Sequence, residues 1–326
     1  MTRPSGHSLL LSSAGTALVS AALLLAGCGK TSPGSETASP ATGPRSSGGF
    51  SADDPPEPTI SLLRAVGPYE VREVGPVGGG HGRLEVWRGD ERVWTAVGHF
   101  VGVGQAAAVG GFISGDAPPA DTAAVRDLNG DGVPDLITWR HMPGGDGSST
   151  IVEVLELGAH GVRPLLALNV GGSGEVSGFR DLDGDGVDEF LTLDETFSDG
   201  SAEAPYPAVV LAWDPAAGTW MPSPDHMRRP TPPPAELDRR AAAIRERPGS
   251  DLAVRRLLES EMLDLIYAGY WEAADQFLAS AWPGGNRPEA DAPSEEAFRM
   301  ELYDRMAQSP YYETVLALNG RSSLRD

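Results

Sequence analysis

The sequence predicts an α+β chain of more than one domain, an antiparallel β-domain of two to three repeated units followed by a small helical domain. Three observations predict it. A nine-residue acidic stretch occurs twice, each time just before a short run of β-branched and aromatic residues. Paired alternating segments of strand length lie around both copies. Beyond a proline-rich stretch, the composition turns to helix formers with apolar residues spaced for one face.

Residues 1–27 read as a leader. Arg3 gives a weakly basic start, and an apolar run follows from Leu9 to Leu25. The run ends Leu25-Ala26-Gly27-Cys28, which resembles the lipobox of bacterial lipoproteins. The resemblance implies a lipidated Cys28 as the mature first residue and attachment to a membrane through that lipid. Gly29 stands where an aspartate commonly holds such proteins at the inner membrane, so the resemblance points to the bacterial cell envelope and favours the outer membrane. Cys28 is the only cysteine, which excludes an internal disulfide. Residues 28–57 hold this cysteine and a Ser, Gly, Pro and Thr-rich segment with no bulky apolar residue before Phe50. Such a segment buries too little surface to order itself and reads as a flexible tether.

Residues 58–222 carry the β pattern. Leu84–Trp87 with Arg92–Thr95, Ile151–Leu157 with Val162–Leu168, and Ala208–Trp213 with Thr219–Met221 each read as a hairpin. The first looks like the tail of a unit without an acidic stretch; the other two each follow one.

The acidic stretches carry the chemistry. The first is Asp127-Leu128-Asn129-Gly130-Asp131-Gly132-Val133-Pro134-Asp135. The second is Asp181-Leu182-Asp183-Gly184-Asp185-Gly186-Val187-Asp188-Glu189, offset by 181 − 127 = 54 residues. Oxygen-bearing side chains stand at positions 1, 3, 5 and 9, and glycine at position 6. Calcium takes six to eight oxygen ligands, and alternation turns every second side chain inward. The glycine permits the turn that makes the carbonyl at position 7, Val133 or Val187, a further ligand. Two Ca²⁺ sites are therefore expected. One would use Asp127, Asn129, Asp131, Val133 and Asp135. The other would use Asp181, Asp183, Asp185, Val187 and Glu189. The pattern argues against an EF-hand, because Thr138 and Thr192 stand where its bidentate acid belongs and expected strands follow instead of helices.

These loops resemble the calcium loops of FG-GAP or VCBS-type repeats in integrin-α-like proteins, of the form D-x-[DN]-x-D-G-x-x-[DE] followed by a strand. The resemblance covers the loops and the strands beside them. It implies blade-like repeats with calcium in a structural role, and it implies no reaction. Residues 59–222 are too few for a closed propeller of four-stranded blades.

Residues 223–234 form a proline-rich linker, and 235–326 the helical domain. Ala235–Arg247, a segment from Ser250 to Ala268, Tyr270–Trp282, Ser294–Gln308 and a short piece after Pro310 are expected as helices.

The formal charge of −21, from 46 acids against 25 bases, argues against nucleic acid as a partner. The sequence has no HExxH, G-x-S-x-G or P-loop pattern, and its six histidines show no metal-ligand spacing. The expectation is a non-catalytic, calcium-binding envelope lipoprotein that binds or displays a protein or polysaccharide ligand. The alternative is an envelope hydrolase or carbohydrate-binding protein with its site in loops 101–121, 141–149 and 195–205. Exposed Trp87, Trp94, Trp139, Trp213 and Trp220 would favour the alternative; burial of these rings would favour packing.

Overall fold

The computed structural model describes residues 60–75, 81–104, 124–143, 148–172, 177–199, 201, 204–247, 251–283 and 294–323. Cys28, the leader and the tether lie outside the described residues, as do Ser250 and most of the 101–121 loop. Among the described residues, the chain forms three antiparallel sheets and six α-helices, a mixed α+β fold.

The first sheet is a four-stranded meander of β1 (Ile60–Val66), β2 (Tyr69–Val74), β3 (Gly82–Arg88) and β4 (Glu91–Gly98). The hairpin expected as the tail of a unit is the second half of this complete sheet. A two-residue turn, Gly67-Pro68, joins β1 to β2, with Gly67 at φ +57 supplying the left-handed backbone. The second sheet orders β5 (Phe100–Val103), β7 (Asp135–Pro143), β8 (Ser148–Gly158) and β9 (Gly161–Asn169), with the short β6 (Val125–Arg126) also paired to β7. The third is a meander of β10 (Gly178–Arg180), β11 (Glu189–Leu193), β12 (Ala208–Asp214) and β13 (Thr219–Pro222).

The second sheet is buried on both faces. Successive side chains of a strand point to opposite faces. Leu136 pairs with Leu155 across the ladder, and Ile137 with Val154. Leu136 and Leu155 pack with Tyr69, Val71, Leu84 and Val86 of the first sheet. Ile137 and Val154 enter a larger core that holds Phe179, Phe190, Val209 and Trp220 of the third sheet together with the helices.

The helices are α1 (Pro224–Met227), α2 (Pro234–Arg245), α3 (Asp251–Ile266), α4 (Trp271–Ala281), α5 (Glu295–Met306) and α6 (Tyr312–Leu318). The change of composition near residue 222 is not a boundary of packing. Met227, Ile244, Leu258, Phe277 and Leu316 belong to the same buried cluster as the third sheet. Buried Asp194, just after β11, accepts hydrogen bonds from Tyr267 Oη after α3 and from Ser309 Oγ (2.5 Å). No helix among the described residues is long and apolar enough to cross a membrane.

Candidate metal centre

Both acidic stretches are the connections of β-hairpins, and their registers match. The first joins β6 to β7, where Arg126 pairs with Asp135. The second joins β10 to β11, where Arg180 pairs with Glu189. The position-9 acid is thus the first residue of the outgoing strand in each, which anchors it in a ladder. Leu128 and Asn129 of the first loop and Asp188 of the second are also buried, while positions 4 to 6 of both loops are exposed.

Side-chain oxygens organise each loop by capturing backbone N–H groups a few residues on, as short polar side chains do in turns. At position 1, Asp127 Oδ1 accepts from Gly130 N (2.8 Å) and Asp131 N (3.1 Å), and its Oδ2 accepts from Gly132 N (2.8 Å). Asp181 repeats this with Gly184 N (2.7 Å) and Gly186 N (3.1 Å). At position 3, Asn129 Oδ1 accepts from Asp131 N and Asp183 Oδ1 from Asp185 N, both at 3.1 Å. At position 5, Asp131 and Asp185 accept from the N–H groups of Val133 and Val187, both at 2.8 Å. At position 9, Asp135 Oδ2 accepts from Leu128 N (2.9 Å) and Glu189 Oε2 from Leu182 N (2.8 Å). The glycines at positions 4 and 6 take φ +74 and +83 in the first loop and +83 and +89 in the second, where any Cβ is strained.

The loops differ in how far their acids converge. Asp181, Asp183 and Asp185 place carboxylate oxygens within 4.8 Å of one another. The three acids of the first loop form no such triplet; there Asn129 Nδ2 donates to Asp131 Oδ2 (3.1 Å). The first loop has a different mark. Asp135 is fully buried, and its Oδ1 has no hydrogen-bond partner. Burial pushes this carboxyl up to about 7, and the charges of Asp131, Asp127 and Glu156 add to the effect against the lowering pull of Leu128 N–H. A buried carboxylate oxygen without a donor is costly, and a cation would satisfy it. The donor set of carboxylates and amide oxygen is that of a hard divalent ion.

The two loops also touch. Asp188 N donates to Leu128 O (2.8 Å), and Arg126 Nη2 stands 3.1 Å from Asp188 Oδ1. Burial raises the Asp188 carboxyl, opposed by Arg126. Trp220 Nε1 closes the arrangement on Asp188 O (2.7 Å).

His226, which the sequence offered as one of six scattered histidines, lies against the second loop. Its Nε2 is 3.5 Å from Asp183 Oδ2 and 3.6 Å from Glu189 Oε1. It stands 226 − 189 = 37 residues beyond the loop, so no spacing rule connects them. The available signal was Ser223-Pro224, a helix start that places His226 in the first turn of α1.

None of the five strand tryptophans is exposed: Trp220 is buried and the other four are half-buried. Trp213 and Trp220 stack edge to face at 4.8 Å, Trp87 donates to Glu85 Oε2 (2.8 Å), and Trp94 packs on the core between the first two sheets. No family model, curated protein or solved structure matches this chain.

Proposed function

We propose that this protein is a calcium-binding, lipid-anchored module of the bacterial cell envelope that binds or displays a protein or polysaccharide ligand and carries no catalytic site. The observation that carries the calcium reading is the pair of hairpin loops with one hydrogen-bond register, one of them holding the buried, unpartnered Asp135 Oδ1. In the first loop Asp127, Asn129, Asp131, Asp135 and the Val133 carbonyl would hold the ion. In the second, Asp181, Asp183, Asp185, Glu189 and the Val187 carbonyl would do so. On this reading the three sheets are blade-like units of the FG-GAP or VCBS kind, two of them closed by calcium. The ion neutralises acids that repel when it is removed and so fixes two hairpins. The half-buried and buried tryptophans support packing over a sugar-stacking platform.

Isothermal calorimetry of the full-length protein with Ca²⁺, beside its melting temperature with and without chelator, tests the metal. Two binding events with a raised melting temperature support it; no heat and no shift reject it.

A further inference from the structure

Glu189 is 2 % exposed, and its two oxygens have different surroundings. Oε2 is held by Leu182 N. Oε1 points out of the loop towards His226 Nε2 at 3.6 Å, beyond the roughly 2.7–3.2 Å of an N–H···O bond. Asp183 repeats the division: Oδ1 serves Asp185 N, and Oδ2 faces the same nitrogen at 3.5 Å. One ligand atom each from Asp183, Glu189 and His226 lies within 4.8 Å of the others. Ligands about 2.0–2.2 Å from a tetrahedral ion stand about 3.3–3.6 Å apart. The two nitrogen–oxygen separations fall at that spacing.

We infer that Asp183, Glu189 and His226 form a site for a divalent first-row transition ion such as Zn²⁺ or Co²⁺, which shares Asp183 and Glu189 with the second calcium set, competes with calcium there, and differs from that set by its imidazole ligand. Imidazole suits such ions and is foreign to calcium sites. The histidine is positioned as metal-binding histidines are, through its second nitrogen: Nδ1 lies 2.9 Å from Ser223 Oγ. With Nδ1–H donated to that oxygen, the Nε2 lone pair faces the two carboxylate oxygens. The short helix α1 is fixed in turn, since Ser223 N donates to Val210 O of β12 (2.9 Å) and Met227 is buried. Asp183 is half exposed, which leaves an entry path and room for water as a further ligand. The consequence is a coupling between the second hairpin and the start of the helical region, because the ion would bridge residues from both.

The test uses metal-free full-length protein titrated with Co²⁺ alone, read by its visible d–d absorption. The wild type binds. His226→Ala weakens binding by more than roughly 10–100-fold, the cost typical of losing only an outer partner, and Ser223→Ala weakens it by about 10-fold. Should His226→Ala fold poorly, proton NMR of the Co²⁺-bound wild type decides, with a hyperfine-shifted, solvent-exchangeable imidazole N–H signal expected. Cobalt affinity that ignores His226, or a Co²⁺-bound wild type without a shifted imidazole N–H signal, overturns the site and leaves His226 a counter-charge only. The calcium reading fails separately. Cobalt binding through His226 in a protein that calcium does not stabilise rejects calcium and keeps this site; a calcium shift with cobalt binding independent of His226 does the reverse.

Discussion

Asp188 donates its backbone N–H to Leu128 O at 2.8 Å, tying the second acidic loop to the first. Val187, its neighbour, lies against Gly130, where an added Cβ would stand 3.1 Å from Val187 Cγ2. The loops are therefore one unit of structure, although their sequences begin 181 − 127 = 54 residues apart.

Substitution of two first-loop glycines separates contact from strain. Gly130→Ala puts a Cβ on a backbone at φ +74 and against Val187; Gly132→Ala strains φ +83 with nothing within 4 Å. Each should cost about 1–2 kcal/mol in urea unfolding from strain alone. Only Gly130→Ala should also weaken calcium binding at the second loop in a calorimetric titration. Equal effects of the two on that loop would mean the contact transmits nothing.

The buried Asp194 joins the third sheet to the helices through Tyr267 Oη and Ser309 Oγ. Tyr267→Phe removes one donor from a carboxylate that is 1 % exposed, at a cost of about 1–3 kcal/mol. Because sheet and helices share a core, the loss should appear as one unfolding transition at a lower temperature, followed by both near- and far-ultraviolet circular dichroism. Two transitions, with only one shifted, would show that the shared core does not couple them.

Acid–base behaviour should single out Asp135. Its carboxyl ordinarily titrates near 3.8 and in the fold at about 7. The metal-free folded form therefore keeps a proton that the unfolded chain releases. The stability from this group is full below about pH 4 and is lost as pH rises through 7. Relative to Asp135→Asn, the metal-free wild type should lose melting temperature steadily over that window. Parallel curves for the two proteins would show that Asp135 carries no such penalty.

The loops were legible because their information is local: oxygen-bearing side chains at alternate positions, glycine at the turn, a strand directly after. The hairpins β3–β4, β8–β9 and β12–β13 were legible from alternation, and helices α2 to α6 from apolar spacing and stop signals; α1 was not, since it lies within the proline-rich stretch 223–234 read as a linker. Burial of the second sheet on both faces was not. Leu136 and Ile137 are simply two adjacent apolar residues until the first and third sheets are in place. His226 was hidden for the same reason, since only the packing of α1 on β12 carries it to Glu189. The change from β-formers to helix formers near residue 222 suggested separate cores, because composition reports local structure and not which surfaces meet.

The anchor is tested apart from the fold. Cys28→Ala should leave the protein unlipidated and release it from the membrane fraction, because stable attachment needs two or more acyl chains on that residue. Intact mass of the wild type should show cleavage before Cys28 and added lipid. An uncleaved, unmodified terminus would reject the lipoprotein reading.

The most direct measurement is the calcium-dependent melting shift of the full-length protein, compared among wild type, Asp183→Ala and Asn129→Ala. An ion that binds only the folded form stabilises it by about 2.7 kcal/mol at a hundredfold excess over Kd. The second loop offers four carboxylates, Asp181, Asp183, Asp185 and Glu189; the first offers three and an amide. Ligand charge tunes affinity, so Asp183→Ala should remove most of the shift and Asn129→Ala less of it. Equal losses would contradict the ranking of the loops, and a wild-type protein whose melting temperature millimolar calcium does not move would contradict calcium binding itself.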